Sequence, residues 1–171
     1  MLSATGCLSF SWHSVPAVLS RSLFPSNLDD ILQDLPTYRI FLSPVTSEPD
    51  FNTRYKTTDR SVYDKACSYL PKTEPGDFLS EILLLNQHDD VMEGSFTTAY
   101  FRQSGTWTTP PEISGGNIGV TRRWAIENGL CQEGLISLKS VQTGSYCQKV
   151  ILSNGVRGFG WGILEPLLSQ S

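Results

Sequence analysis

A chain of 171 residues with 39% hydrophobic and 11% aromatic content is long enough to bury one core, which excludes disorder as the default reading. A formal charge of −4, with no basic cluster beyond Arg122-Arg123, argues against nucleic acid as the main partner and puts that pair on a helix surface. No apolar run reaches membrane-spanning length, Cys7, Cys67, Cys131 and Cys147 show no metal-type spacing, and the histidines are His13 and His88 alone; the expectation is free thiols, no zinc and the cytoplasm.

Residues 1–36 read as an irregular lead-in open to disorder, serine-rich and acid-free over its first 28 residues, with Arg21 too little cation for a transit peptide. A short helix is expected over 27–35, started by Ser26 or Asn27 and stopped before Pro36. Tyr38 to Leu42 reads as a strand, Val45 to Asp50 as a loop and Phe51 to Tyr55 as extended chain delivering Lys56. Thr57 to Leu70 carries Val62, Ala66 and Tyr69 at helical spacing and closes at Pro71. The apolar run Glu81 to Asn86 predicts a strand buried on both faces, His88 falls in the turn after it, and Val91 to Arg102 predicts a second strand with Glu93 near its start. A hairpin through Gln103-Ser104-Gly105 leads to Thr106–Thr109. Beyond the helix expected at 119–128, Leu135 to Leu138 reads as a strand and 139–145 as a connector. Lys149 to Leu152 reads as a strand, Ser153-Asn154-Gly155 as a loop, and Val156 to Ile163 as a strand whose glycines signal close backbone approach.

The chemistry is concentrated at Gly115 to Glu127, where a glycine-rich loop enters a helix. Gly115, Gly116 and Gly119 are expected to take positive φ and approach a ligand, with Asn117 or Gly119 capping. The amides of Val120, Thr121 and Arg122 and the Thr121 hydroxyl then face an anion at the positive end of the helix dipole. Ser153-Asn154-Gly155 is a second loop able to present a hydroxyl and amides to a ligand. Spacing alone leaves Lys56 a junction lysine and Glu93 a charge at a strand start.

Taken in order, Tyr55-Lys-Thr-Thr-Asp-Arg60, Met92-Glu-Gly-Ser95, Gly119-Val-Thr-Arg122 and Leu152-Ser-Asn-Gly-Val-Arg-Gly158 resemble the class IV pyridoxal-phosphate-dependent enzymes, the branched-chain and D-amino acid aminotransferases and aminodeoxychorismate lyase. The resemblance spans most of Tyr38 to Leu164. It implies an α+β fold, the larger C-terminal domain of that family over residues 37–171, with a mixed or barrel-like sheet and flanking helices. By the same resemblance Lys56 attaches to the cofactor aldehyde and moves the proton, and Glu93 pairs with the pyridine nitrogen. Gly119, Val120, Thr121 and Ser153 hold the phosphate, and Asn154 and Gly155 line the substrate side. Lys56-Thr-Thr-Asp-Arg60 is most similar to the Lys-x-x-Asn-Arg of the lyase, with Asp59 in place of asparagine. The implied reaction splits 4-amino-4-deoxychorismate into 4-aminobenzoate and pyruvate on the folate route. Amino-acid transamination by the same lysine is the alternative, and a non-catalytic remnant or interaction protein is a third. A homodimer is implied, with a small-molecule substrate. The family's smaller N-terminal domain supplies an arginine and part of the pocket, and the 37 residues before Tyr38 are too few for it. The expectation is therefore a truncated or split product that binds cofactor weakly, borrows the missing half from a partner or is inactive.

Overall fold

The computed structural model describes residues 23–34, 37–55, 57–72 and 79–166. Its centre is one eight-stranded mixed sheet in the order β3-β2-β1-β8-β7-β4-β5-β6. The strands are β1 (Tyr38–Thr46), β2 (Leu79–Leu85), β3 (Val91–Gly94), β4 (Thr98–Gln103), β5 (Thr106–Thr109), β6 (Gln132–Glu133), β7 (Lys149–Asn154) and β8 (Gly158–Leu164). The helices are α1 (Phe51–Arg54), α2 (Ser61–Cys67), α3 (Val120–Glu127) and α4 (Leu138–Gln142).

Strand alternation sorts the side chains. Ile40, Leu42, Leu83, Leu85, Ala99, Phe101, Val150 and Leu152 fill one core cluster on one face. Phe41, Ile82 and Leu84 point the other way beneath α2, while Tyr100, Ile151 and Phe159 meet α3. Parallel pairing of β1 with both β2 and β8 demands apolar residues on both faces, which is why β1 and β2 read as continuous apolar runs. The sheet also curls. The chain between 132 and 137 runs from β5 at one edge, where Thr108 pairs with Gln132, to β3 at the other, where Asp90 bridges to Ser137. An α+β fold with a barrel-like mixed sheet is what the resemblance implied.

Gly160 and Gly162 admit β1. A Cβ on Gly162 would stand 2.6 Å from Tyr38 Cβ, and one on Gly160 would stand 3.3 Å from the Tyr38 ring, which is the close approach expected of glycines in a strand. The helix expected at 27–35 is a 3-10 helix at Leu28–Gln33, capped by the Asn27 side chain, with Leu28 and Ile31 buried against the α3 cluster.

Three expectations are corrected. Residues 51–54 are helical rather than extended, because Asp50 and Thr53 form a reciprocal capping box. The strand expected across 91–102 is broken at 95–97, where the Gly94 amide donates to the Thr97 carbonyl at 2.7 Å and a buried carboxylate gathers the turn. No strand covers 135–138. Ser137 instead accepts the Ser140 amide and starts α4 inside the expected connector, burying Val141.

Candidate functional site

A cavity of about 420 Å³ opens on the sheet face between α2 and α3. Four stretches line it: Asn52, Tyr55, Thr57, Arg60 and Tyr63 around α1 and α2, the β3–β4 turn from Glu93 to Thr98, the loop and mouth of α3 from Asn117 to Thr121, and Ser153 to Gly155 at the end of β7. The expectation placed on Lys56 falls outside the described residues; Tyr55 and Thr57 line the cavity.

Glu93 stands in the wall, only 8% exposed, and its Oε1 accepts the Tyr63 hydroxyl at 2.7 Å. Burial, and next the Glu93 carboxylate, push the Tyr63 phenol well above its usual range, so it stays a neutral donor. Arg60 closes this side. Its guanidinium lies 4.7 Å from the Tyr63 ring centre and 4.5 Å from that of Phe96, and Nη2 donates to the Ser95 carbonyl at 2.8 Å. Asp59 Oδ1 accepts the Ser61 amide at 3.0 Å at the start of α2, and the amide oxygen of an asparagine would serve equally.

Another part of the wall is rich in donors. Gly119 is the N-cap of α3 and offers no side-chain acceptor. Among the described residues no acceptor meets the amides of Val120, Thr121 and Arg122. Ser153 Oγ donates to Thr121 Oγ1 at 2.8 Å and lies 2.8 Å from the Tyr100 hydroxyl. Thr121 and Ser153 are both 1% exposed yet line the cavity. Such a wall suits a multiply charged anion, and Glu93 suits a cationic or N–H group.

The glycine loop works differently from expectation. Only Gly115 takes positive φ, at 98°, while Gly119 sits at −64°. A Cβ on Gly116 would stand 2.6 Å from the Met92 carbonyl oxygen and 3.1 Å from Glu93 Cβ. The close approach of Gly116 is therefore to β3, beside Glu93. Asn117 does not cap α3; its amide donates to the Arg54 carbonyl at 2.9 Å and ties the loop to α1.

Arg122 is corrected from surface to interior. It is 5% exposed, donates to the Pro110 carbonyl at 2.8 Å and pairs with Glu133, clamping the mouth of α3 to the β5–β6 edge. Ser153 and Asn154 end β7 rather than forming a loop. Asn154 Oδ1 accepts the amides of Val156 and Arg157 at 2.9 and 2.7 Å, and a Cβ on Gly155 would meet nothing within 4 Å. Tyr63, Arg60 and Tyr100 were missed because their partners lie 30 to 53 residues away; helical spacing had marked α2's apolar face without showing which phenol would reach a carboxylate.

Together, a curled mixed sheet and a cavity lined by a buried acid and by a helix mouth define an α+β protein with a pocket of small-molecule size. Residues 13–160 match the amino-transferase class IV family, and the chain belongs to that family. Its members work with pyridoxal phosphate on small-molecule substrates. Among curated proteins, aminodeoxychorismate lyase of Saccharomyces cerevisiae is 34% identical over 67% of this chain and 34% of its own length. The chain thus spans about a third of that relative. Among solved structures, a candidate amino-acid aminotransferase from Mesorhizobium loti superposes with a TM-score of 0.66 at 24% identity, covering 77% of this chain and 61% of that one. A candidate 4-amino-4-deoxychorismate lyase from Legionella pneumophila gives 0.58 at 14% identity over 81% and 51%. Both share the fold. Among the described residues no helix is long and apolar enough to cross a membrane.

Proposed function

We propose that the cavity holds pyridoxal 5′-phosphate and that the chain acts as a lyase on 4-amino-4-deoxychorismate, yielding 4-aminobenzoate and pyruvate. The observation that carries the reading is the pairing of walls: a buried carboxylate on one side of the cavity, and an uncapped helix mouth with two buried hydroxyls on another. The residues fit the cofactor. A volume of about 420 Å³ falls within the roughly 300–1,000 Å³ of small-molecule sites. The donor wall matches a phosphate monoester and the Glu93 carboxylate matches a protonated pyridine nitrogen.

In this reading the amides of Val120 and Thr121, with Gly119 at the N-cap and the hydroxyls of Thr121 and Ser153, bind the phosphate. Glu93 holds the proton at the ring nitrogen, and Tyr63 holds Glu93. Lys56 anchors the aldehyde end and then carries the proton taken from the substrate. Asn154 and Gly155 border the substrate. The cofactor, when bound, supplies an electron sink for the bond that breaks. The lyase over the aminotransferase is favoured by the yeast relative and by Asp59, whose carboxylate accepts the Ser61 amide as an asparagine oxygen would. A homodimer and a cytoplasmic setting complete the proposal.

The purified chain mixed with pyridoxal phosphate should develop a visible absorption band that Lys56→Ala lacks, and should release 4-aminobenzoate from 4-amino-4-deoxychorismate. No band, or a band identical in the variant, defeats the cofactor assignment. A band with amino transfer to an oxo acid and no 4-aminobenzoate defeats the lyase in favour of the aminotransferase.

A further inference from the structure

Behind the donor wall lies a phenol that does not line this cavity. Tyr100 is fully buried, its ring 5.7 Å from that of Phe159, and its hydroxyl meets Ser153 Oγ at 2.8 Å. Ser153 Oγ in turn donates to Thr121 Oγ1 at 2.8 Å. β4 and β7 set this up by register: Tyr100 pairs with Ile151 and Thr98 with Ser153, so Tyr100 and Ser153 are diagonal neighbours on one face.

We propose that Tyr100 is a positioning residue of the anion seat, fixing the direction of a hydroxyl chain so that Thr121 presents its proton, rather than its lone pairs, to the ligand. The inference rests on the phosphate assignment made above.

Three hydroxyls carry three protons, and the two bonds between them use two. Among the described residues the Tyr100 phenol is hydrogen-bonded to Ser153, with Thr121 the other hydroxyl beside it, so its proton goes into this group of three. Ser153 passes its own proton to Thr121. The Thr121 proton then has no acceptor among the described residues, and Thr121 lines the cavity. The reversed order would run against the Ser153-to-Thr121 bond and turn oxygen lone pairs toward an anion. Burial also pushes the Tyr100 phenol well above its usual range, so it donates throughout the physiological pH span. Donation along such a chain strengthens each successive O–H as a donor. A seat built this way favours an oxyanion over a neutral hydroxyl.

The test compares two ligands on the full chain, pyridoxal 5′-phosphate and pyridoxal, through the ratio of their dissociation constants followed by absorbance. Wild type should prefer the phosphorylated form. Tyr100→Phe should shrink that preference by about tenfold, the scale of one charge-assisted hydrogen bond, and leave the pyridoxal constant unchanged. A merely structural tyrosine would weaken both ligands alike and leave the ratio intact; that result overturns the proposal. Should Tyr100→Phe fail to fold by circular dichroism, Tyr100→3-fluorotyrosine, a stronger donor of nearly the same shape, should raise the preference, and an unchanged or lower ratio overturns it. If wild type shows no preference for the phosphorylated ligand, the phosphate assignment fails first, an outcome distinct from a preference that Tyr100→Phe leaves untouched.

Discussion

Glu81 on β2 and Glu93 on β3 stand on neighbouring antiparallel strands, 2% and 8% exposed, and their surroundings differ in kind. The Glu81 carboxylate accepts from the amides of Ile82, Ser95 and Phe96 and from the hydroxyls of Ser95 and Thr97, at 2.6 to 3.3 Å. It faces no cavity. Its work is to gather the turn that separates β3 from β4, and Gly94 leaves the space, since a Cβ there would stand 2.9 Å from Glu81 Cδ. Glu93 shares its burial but lines the cavity and receives Tyr63. Burial pushes the Glu81 carboxyl up although its hydroxyl and amide donors pull it down. A perturbed acid is therefore not by itself a site; what separates the two is whether the carboxylate borders space a ligand can enter.

Deleting each acid should pull the two roles apart. Glu81→Ala should lower unfolding free energy by about 3 kcal/mol or more, since the 95–97 turn loses its shared acceptor, as read from urea denaturation. Glu93→Ala should cost less, about 1 kcal/mol for each partner it leaves unpaired, Tyr63 among them. Equal losses would erase the distinction. Under the proposed function Glu93→Ala should also slow 4-aminobenzoate release about 100-fold, the lower end for a group that holds a proton in place, while binding of the cofactor phosphate persists.

A smaller effect separates the adjacent arginines. Arg122→Ala should cost about 2 kcal/mol, because a clamp on the Pro110 carbonyl and Glu133 is lost from the interior. Arg123 is exposed, and Arg123→Ala should leave the urea midpoint unmoved. The smallest effect concerns pH. A folded-state Glu81 raised above an unfolded carboxyl near about 4.3 contributes stability that is full below that value and is lost as pH rises through the folded-state titration. Wild type measured against Glu81→Gln should therefore gain ground from pH 7 to pH 4, by about 1 kcal/mol per unit of raised pKa. A gap that is flat with pH, or that widens in the opposite sense, would place the ionised form as the preferred buried state.

Much of the site was legible locally. The glycine loop running into a helix at 119–128 and the glycines of β8 were readable because each is a property of neighbouring residues, and α3 begins one residue beyond Gly119. Legibility failed where distant groups decide. The D-x-x-T box at Asp50 and the Ser137 cap are short signals outweighed by β-type composition around them. The break at 95–97 depends on a carboxylate fourteen or more residues earlier in the chain. Arg122 looked like half of a surface pair, and only the course of 110–133 around it makes it a clamp.

What the chain determined by itself is periodic and local: which strands are apolar on both faces, where a helix mouth opens, where glycine must admit another backbone. Only the folded sheet decided which polar groups meet. Tyr100, Thr121 and Ser153 come together because β4 and β7 pair in one register and α3 lies across them. Register is set by the whole hydrophobic pattern and the turns at once, and a one-residue slip would turn the same hydroxyls to the other face.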